Sequence, residues 1–284
     1  MIKGNINTNA LMNTLGLSCV ENLLTYILRI NNISLYPLYS NSFLTYSEIE
    51  NALILQGETY ANFRSLDRLQ HIAEEEGIIK VDLIDRSEPP LLHDDCYHIV
   101  MVLSDFAKDK YNINLWRDDH YILVSQTADN TINYINDHPI DTGELSIEEF
   151  RHYYAGHAIS INIERYHYLN SIEYYVESFL HLCKPDVVNK NGNLDAMTLR
   201  DIVGILKVLR KRAYSLVSML YDVNYMIDYF KLLDRKYSIL EYMRIRKHED
   251  DVKLKQIRDE IITEDAIIIN RLLSDVIKPI GSAH

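Results

Sequence analysis

The sequence is short of the residues on which several specialised folds depend. Its 284 residues include only three cysteines, six prolines, nine glycines and one tryptophan. A sparse, odd set of cysteines excludes a disulfide-rich scaffold and is typical of proteins in a reducing compartment. The few glycines and prolines exclude collagen-like and low-complexity chains. With 47% hydrophobic and 25% charged residues, the composition is that of a globular protein with a sizeable core.

Positive charge is also scarce. Lys and Arg total 29 against 41 Asp and Glu, and the resulting net charge of -12 argues against a nucleic-acid backbone as the main ligand. No apolar run approaches the roughly 18 residues that span a bilayer. The first nine residues are polar and lack the basic start and apolar core of a signal peptide. We therefore expect a cytoplasmic protein that binds neither membranes nor nucleic acid.

Charge and hydrophobic patterning change together near residue 165. Residues 1–164 hold 10 Lys and Arg against 24 Asp and Glu, whereas the remaining residues hold 19 against 17. Short apolar runs separated by turns precede this point, and long stretches of helical period follow it. The pattern predicts an α+β domain over residues 1–164 and an all-α helical bundle over residues 165–284.

The patterning also predicts individual elements. In the first domain it favours helices, then strands; in the second it favours four helices with short connections. The predicted helices of the first domain are 19–30, 47–56 and 65–76, its strands are 78–84, 97–103, 120–125, 131–136 and 158–163, and the later helices are 166–183, 196–221, 225–246 and 252–277. Asp129 and Asn130 mark a hairpin between the third and fourth strands.

The first helix carries a candidate nucleophile. Ser18 followed by Glu21 is a capping-box pattern, which makes Ser18 the N-cap and places Cys19 in the first helical turn. There the helix dipole and free backbone N–H groups favour a thiolate, so we expect a lowered thiol pKa. The same N–H groups suit an oxyanion on a substrate carbonyl. The alternative is that Cys19 is a small buried apolar residue.

Two further residues complete a possible triad. His120 begins the third predicted strand, and Asp137 follows the fourth within Asn136-Asp137-His138-Pro139. A hairpin brings these two strand ends together, so Asp137 is expected to orient and polarise the His120 imidazole.

The order and spacing of these motifs resemble the C39 group of papain-like cysteine peptidases. The shared features are a Cys that opens the first helix, a His-Tyr pair at a strand start, and an acidic Asn-Asp-x-Pro turn one hairpin later. Over residues 10–163 the resemblance implies a papain-like fold. In that group a Gln six residues before the Cys helps to form the oxyanion hole; here Asn13 stands at that position, one methylene shorter, beside the Cys19 N–H. Val20 departs from the small residue that often follows the Cys.

The additional helical region makes the chain similar to cysteine acyltransferases of natural-product pathways, of the butirosin acyltransferase and closthioamide polythioamide transferase type. That resemblance implies that Cys19 takes an acyl or peptidyl chain from a thioester on the phosphopantetheine arm of a carrier protein. An amine then attacks the acyl-enzyme, with His120 as general base, to form an amide. The expected partners are a carrier protein and a small amine, without a metal or other cofactor.

The basic run Lys207, Arg210, Lys211 and Arg212 is a possible docking surface for an acidic carrier protein. A solvated helix face is the alternative interpretation.

Two functional alternatives also stay open: a cysteine peptidase or amide hydrolase that uses the same triad with water as acceptor, and a non-catalytic scaffold that binds a carrier. The acyl chain, the amine and the oligomeric state are not identified by the sequence.

Cys96 and His98 form a second cluster of reactive side chains. Their spacing puts both on one face of a strand, near His93, Asp94 and Asp95, which is suggestive of metal binding. Because the chain has no second cluster at a recognised ligand spacing, core packing or a loop edge is the expected role and no metal site is predicted. His138, His152 and His157 flank the proposed triad and are expected at the surface or behind the site.

Overall fold

A computed structural model describes residues 17–33, 35–64, 74, 77–93, 95–115, 120–126, 131–164, 194–218, 222–247 and 250–281. The chain forms two compact units, one of residues 1–37 and 69–169 and the other of residues 38–68 and 170–284. The segment 38–68, which the sequence pattern assigns to the α+β domain, therefore groups with the C-terminal helices.

The described ranges contain nine α-helices. Their bounds are α1 Cys19–Ile30, α2 Tyr36–Tyr39, α3 Tyr46–Leu55, α4 Tyr60–Arg64, α5 Ser104–Tyr111, α6 Ile147–Tyr153, α7 Ala196–Val217, α8 Tyr225–Arg246 and α9 Asp251–Gly281. The predicted bounds of α1 and α8 are confirmed, and those of α3, α7 and α9 are confirmed to within a few residues. The helix predicted over 166–183 lies outside the described residues, as does nearly all of 65–76.

The α+β character is confirmed by a six-stranded antiparallel sheet in the described part of the first unit. In chain order the strands are β1 Ile79–Asp85, β2 Tyr97–Val102, β3 His120–Gln126, β4 Ile132–Asp137, β5 Ile140–Leu145 and β6 Tyr154–Ile163, arranged spatially as β1-β6-β2-β3-β4-β5. The sequence predicts five of these strands. It does not predict β5, because Asp141, Thr142, Gly143 and Glu144 provide no apolar alternation.

The sheet has two differently covered faces. Ile99, Leu123 and Ile135 are direct cross-strand partners and share one face. Helix α1 lies on this face, since Asn31 Nδ2 donates to Tyr97 Oη at 2.8 Å and Tyr97 is two residues from Ile99. The opposite face packs against Phe106 of α5 and other aromatic side chains of α5 and α6 in a buried cluster.

The second unit is helical in its described part. Helix α7 packs along α8, while α9 contacts both of them and the segment 38–64 packs on α7. Close approach of α4 to α7 occurs at Gly204, where an added Cβ would stand 2.8 Å from the Tyr60 ring. An alanine at this helix crossing would therefore force the Tyr60 ring to shift.

Candidate active site

Helix α1 begins at Cys19, as the capping pattern predicts. The backbone N–H of Glu21 donates to Ser18 Oγ at 3.2 Å, and the apolar stripe of the helix packs against β2, β3 and β4. The side chain of Cys19 is half-buried and free of a disulfide. The first turn of α1 therefore holds a thiol at one end of the sheet.

The electrostatic environment of Cys19 corrects the expectation of a lowered pKa. Backbone N–H groups of Tyr121, Val20 and Cys19 itself face the sulfur and favour the thiolate, in keeping with a helix start. Burial opposes them and is the largest effect, and the nearby carboxylate of Asp137 adds to it. Together these two raise the thiol pKa from 9.0 to about 11. Cys19 is thus a protonated thiol at neutral pH.

His120 is held by Asn136 and not by Asp137. The imidazole Nε2 and the Asn136 Oδ1 are 2.5 Å apart, and Asn136 is fully buried. The Asn136 amide is itself fixed, since its Nδ2 donates to the Pro139 carbonyl at 2.7 Å. Asn136 therefore takes the orienting position that the sequence pattern assigns to Asp137.

This pair defines the tautomer of His120. An amide oxygen only accepts hydrogen bonds, so His120 Nε2 must carry the proton that is donated to Asn136 Oδ1. In the neutral imidazole Nδ1 is then the unprotonated nitrogen. The arrangement presents Nδ1 as a base whose ring orientation is fixed from behind.

Asp137 contacts α1 instead. Its Oδ2 accepts a hydrogen bond from Asn22 Nδ2 at 2.8 Å, one helical turn beyond Cys19. Asp137 is also the carboxylate that raises the Cys19 pKa. The structure therefore brings Cys19 together with Asp137, and His120 together with Asn136, whereas the predicted contact between His120 and Asp137 is replaced.

The alternation of β4 is the physical reason for this exchange. In the β3–β4 register Leu123 faces Ile135 and Val124 faces Tyr134, so His120 shares a face with Asn136, and Asp137 points to the α1 face. The hydrogen-bonded register is not encoded by the residue types alone. In the observed register, even-numbered residues of β3 and β4 lie on the same face. With that register known, Asn136 and not Asp137 would have been predicted as the partner of His120.

The predicted carrier-docking run is largely buried. Arg210 is fully buried, with two bonds to Asp265 and one each to the carbonyls of Ser42 and Leu44. Lys211 and Arg212 are also buried, and burial lowers the pKa of Lys211 to about 8. Lys207 pairs with Asp234. These residues hold the second unit together, which corrects their assignment as an exposed docking surface.

The buried Arg212 has a similar internal role. Its Nη1 donates to the Phe63 carbonyl at 2.8 Å, and its guanidinium lies over the Tyr39 ring. Both partners belong to the segment 38–68. The basic residues of α7 thus donate hydrogen bonds to carbonyl groups and carboxylates that are distant in sequence. A count of charge along the chain cannot show this.

Cys96 and His98 do lie together, at the start of β2. Cys96 Sγ is 3.2 Å from His98 Nε2, and His98 Nδ1 is 2.9 Å from Ser160 Oγ of the paired strand β6. Burial, with the nearby His93, lowers the pKa of His98 to about 4, and burial raises that of the Cys96 thiol. Among the residues that the structure describes, no group of three or more His, Cys, Asp or Glu is placed to hold a metal ion.

Other predicted residues are placed as follows. Asn13, proposed for the oxyanion hole, lies outside the described residues. His157 contributes to the α1 face, where its Nδ1 is 3.2 Å from Tyr121 Oη and its Nε2 is 3.6 Å from Asp85 Oδ1. His152 packs on the Tyr153 ring instead.

Comparisons of the chain with protein-family models and with curated proteins find no match. Within the described ranges, no helix combines the length and the apolar character needed to cross a membrane.

Proposed function

We propose that the protein is a cysteine-dependent acyltransferase with a papain-like catalytic unit, in which Cys19 is the nucleophile, His120 the base and Asn136 the residue that orients it. The observation that carries the proposal is that the Cys19 sulfur faces the N–H of Tyr121, the residue that follows His120, whose ring is held by Asn136. A nucleophile, a base and a third group that orients the base are the parts that covalent acyl transfer requires.

The backbone of β3 connects the two pairs. The Cys19 sulfur accepts from the N–H of Tyr121, which belongs to the peptide bond joining Tyr121 to His120. Catalysis requires Nδ1 of His120 to reach the sulfur across this strand end. Since the thiol pKa is about 11, the nucleophile depends on proton removal by a base during attack.

The proposed reaction has two steps. His120 Nδ1 takes the Cys19 proton as the sulfur attacks the carbonyl carbon of an acyl thioester, and the donor thiol leaves with that proton. An amine then attacks the acyl-enzyme: the C–N bond forms and the C–S bond breaks, while His120 Nδ1 takes one N–H proton from the amine and delivers it to the Cys19 sulfur. The N–H of Cys19 is the proposed oxyanion donor. Exchange of one thioester for another needs no external energy source.

The expected natural donor, an acyl or peptidyl chain on a carrier protein, stays part of this proposal. Its docking surface is not assigned to the α7 basic run, because Arg210, Lys211 and Arg212 are buried. Hydrolysis by the same residues is the competing outcome, since water and an amine attack the same acyl-enzyme.

Intact-mass spectrometry tests the proposal. Incubation with an acyl N-acetylcysteamine thioester should add one acyl mass to the wild type and none to Cys19→Ala. His120→Ala should acylate at least about 100-fold more slowly. An added primary amine should then convert the adduct to amide.

Two results would contradict the proposal in different ways. An adduct that survives in Cys19→Ala would remove the assigned nucleophile. Free acid as the sole product at every amine concentration would replace the transferase by a hydrolase. Cys96→Ala is the matched control, because it removes the other described cysteine and should acylate normally.

A further inference from the structure

Asp137 carries an oxygen that the described interactions leave unused. Its Oδ2 is bonded to Asn22, but Oδ1 is buried from solvent and has no hydrogen-bond partner among the residues that the structure describes. Burying an unpaired carboxylate oxygen is costly, more so than burying a neutral polar atom. A ligand with an N–H donor would satisfy such an atom at the edge of a reactive site.

The position of this carboxylate is next to the reacting sulfur. Asp137 is close enough to Cys19 to disfavour its thiolate, and Asn22, which anchors Asp137, is one turn along the same helix. Once Cys19 is acylated, the sulfur is neutral and that repulsion disappears. A carboxylate beside a neutral thioester attracts a cation with N–H donors, and a protonated amine has both properties.

We infer that Asp137 is the acceptor-recognition residue, whose free Oδ1 binds the ammonium group of a cationic primary amine next to the acyl-enzyme. This inference rests on the proposed function and defines the acceptor class: amines that are protonated at neutral pH. Asn22 is then a positioning residue, since it fixes the carboxylate without contact to substrate.

The role of Asp137 fits the proton balance of transfer. The bound ammonium gives one proton to Asp137 Oδ1, which later releases it to solvent, and the neutral amine attacks the thioester carbon. His120 Nδ1 takes the second N–H proton and delivers it to the departing sulfur. The products are an amide, the free Cys19 thiol and one released proton, so no oxidant or other reactant is required.

The variant Asp137→Asn separates this role from a role in nucleophile activation. Acylation of Cys19 by the N-acetylcysteamine thioester should persist or become faster, because the His120–Asn136 pair is intact and the carboxylate that disfavours the thiolate is removed. The ratio of amide to free acid formed with n-butylamine should fall by about tenfold or more, the value of one charge-assisted hydrogen bond. Glu148→Gln is the control for net charge, since it removes one exposed carboxylate from the same unit and should leave the ratio unchanged.

A second measurement needs no variant of Asp137. For each amine, the rate of transfer with the wild type is divided by the rate of the uncatalysed reaction. This ratio should be about tenfold larger for n-butylamine than for methoxyamine, a nucleophilic amine that is uncharged at neutral pH. Equal acceleration of the two amines would overturn the inference, and so would an unchanged amide-to-acid ratio in Asp137→Asn.

The outcomes separate the two levels of the proposal. Loss of acylation in Asp137→Asn as severe as in His120→Ala would return Asp137 to the triad and overturn its assignment to the acceptor, while Cys19 chemistry stands. No adduct on wild-type Cys19 would overturn the proposed function and this inference together.

Discussion

Asn136 and Asp137 are neighbours in the chain, and they serve different partners because a strand alternates its side chains. Asn136 reaches His120 on one face of the sheet, whereas Asp137 reaches Asn22 of α1 on the other. A neutral amide thus stands behind the base and a carboxylate stands near the nucleophile. The residue that orients the imidazole is therefore a neutral hydrogen-bond acceptor and not a carboxylate.

Removal of the Asn136 amide should impair catalysis more than folding. Asn136→Ala frees the His120 ring to rotate and to change tautomer, so the acylation rate should fall by about 100-fold. The measurement is the rate of adduct formation by intact mass, with the thermal unfolding midpoint recorded alongside. Asn133→Ala is the matched control, because Asn133 lies three residues before Asn136 on the same strand and pairs with Ser125. Equal loss in both variants would contradict the assignment of Asn136.

The raised thiol pKa predicts how Cys19 responds to pH. A group whose native pKa is about 11 rather than 9.0 keeps its proton through the neutral range, so its thiolate fraction near pH 7 is about 100-fold below that of an unperturbed thiol. Alkylation of Cys19 by iodoacetamide, without an acyl substrate, should therefore keep rising up to about pH 11. A rate that levels off below pH 8 would indicate a stabilised thiolate and refute the burial argument. Peptide mapping separates Cys19 from the other cysteines.

At the scale of elements, the second unit is held by charges that are buried and paired. Arg210 Nε and Nη2 bind the two oxygens of Asp265 at 2.8 and 2.6 Å, and Tyr229 Oη donates to the same carboxylate at 2.8 Å. Helices α7, α8 and α9 therefore meet in one hydrogen-bonded centre. Arg258 of α9 and Glu50 of α3 form another buried pair, at 2.8 Å.

Removing one member of this centre should cost much more than removing an exposed charge. Asp265→Ala leaves Arg210 buried without its carboxylate, and we expect a loss of about 3–5 kcal/mol in the free energy of unfolding. Asp228→Ala is the control, since the Asp228 side chain is 84% exposed in its ion pair with Lys231 and should change stability by less than about 1 kcal/mol. Urea unfolding of both variants provides the comparison. Similar midpoints would show that the centre contributes little.

Local periodicity was sufficient to predict α1, α8 and five strands, because each buries one stripe or one face. It was insufficient for β5 and the short helices α5 and α6. Their few apolar side chains are buried only by packing against the assembled sheet, so their own sequence shows no clear stripe. The nucleophile position followed from a local cap at Ser18. The choice between Asn136 and Asp137 depended on cross-strand register, and the burial of Arg210 depended on a carboxylate 55 residues later. Both features depend on contacts between residues that are distant in sequence, and the spacing of residues along the chain does not predict such contacts.

At the scale of the whole molecule, the second unit is discontinuous in sequence. Residues 38–68 of this unit, the early segment, precede the sheet in the chain, and residues 170–284 follow it. Tyr39, Phe43, Tyr46 and Ile49 of the early segment are buried, and the carbonyls of Ser42 and Leu44 are bonded to Arg210. The early segment is thus an integral part of the helical core.

A fragment of residues 1–164 should for this reason be a poor independent domain, although the sequence pattern presents it as one. Without α7 and α9 the apolar side chains of the early segment have no partners, so the fragment should bind the dye ANS strongly and associate. The full chain under the same conditions should bind little dye. A monomeric fragment with a cooperative thermal transition and no excess dye binding would contradict this expectation. Fluorescence titration measures the binding of ANS, and sedimentation measures the association of the fragment.

The bond between Arg210 and the Leu44 carbonyl joins residues 166 positions apart in sequence. Ribosomes add about 5–20 residues per second, so Leu44 is synthesised on the order of 10–30 s before its partner. All six strands of the sheet, from Ile79 to Ile163, are synthesised during that interval. The order of synthesis therefore separates the two halves of the helical core in time, and the sheet has the opportunity to fold before that core can close.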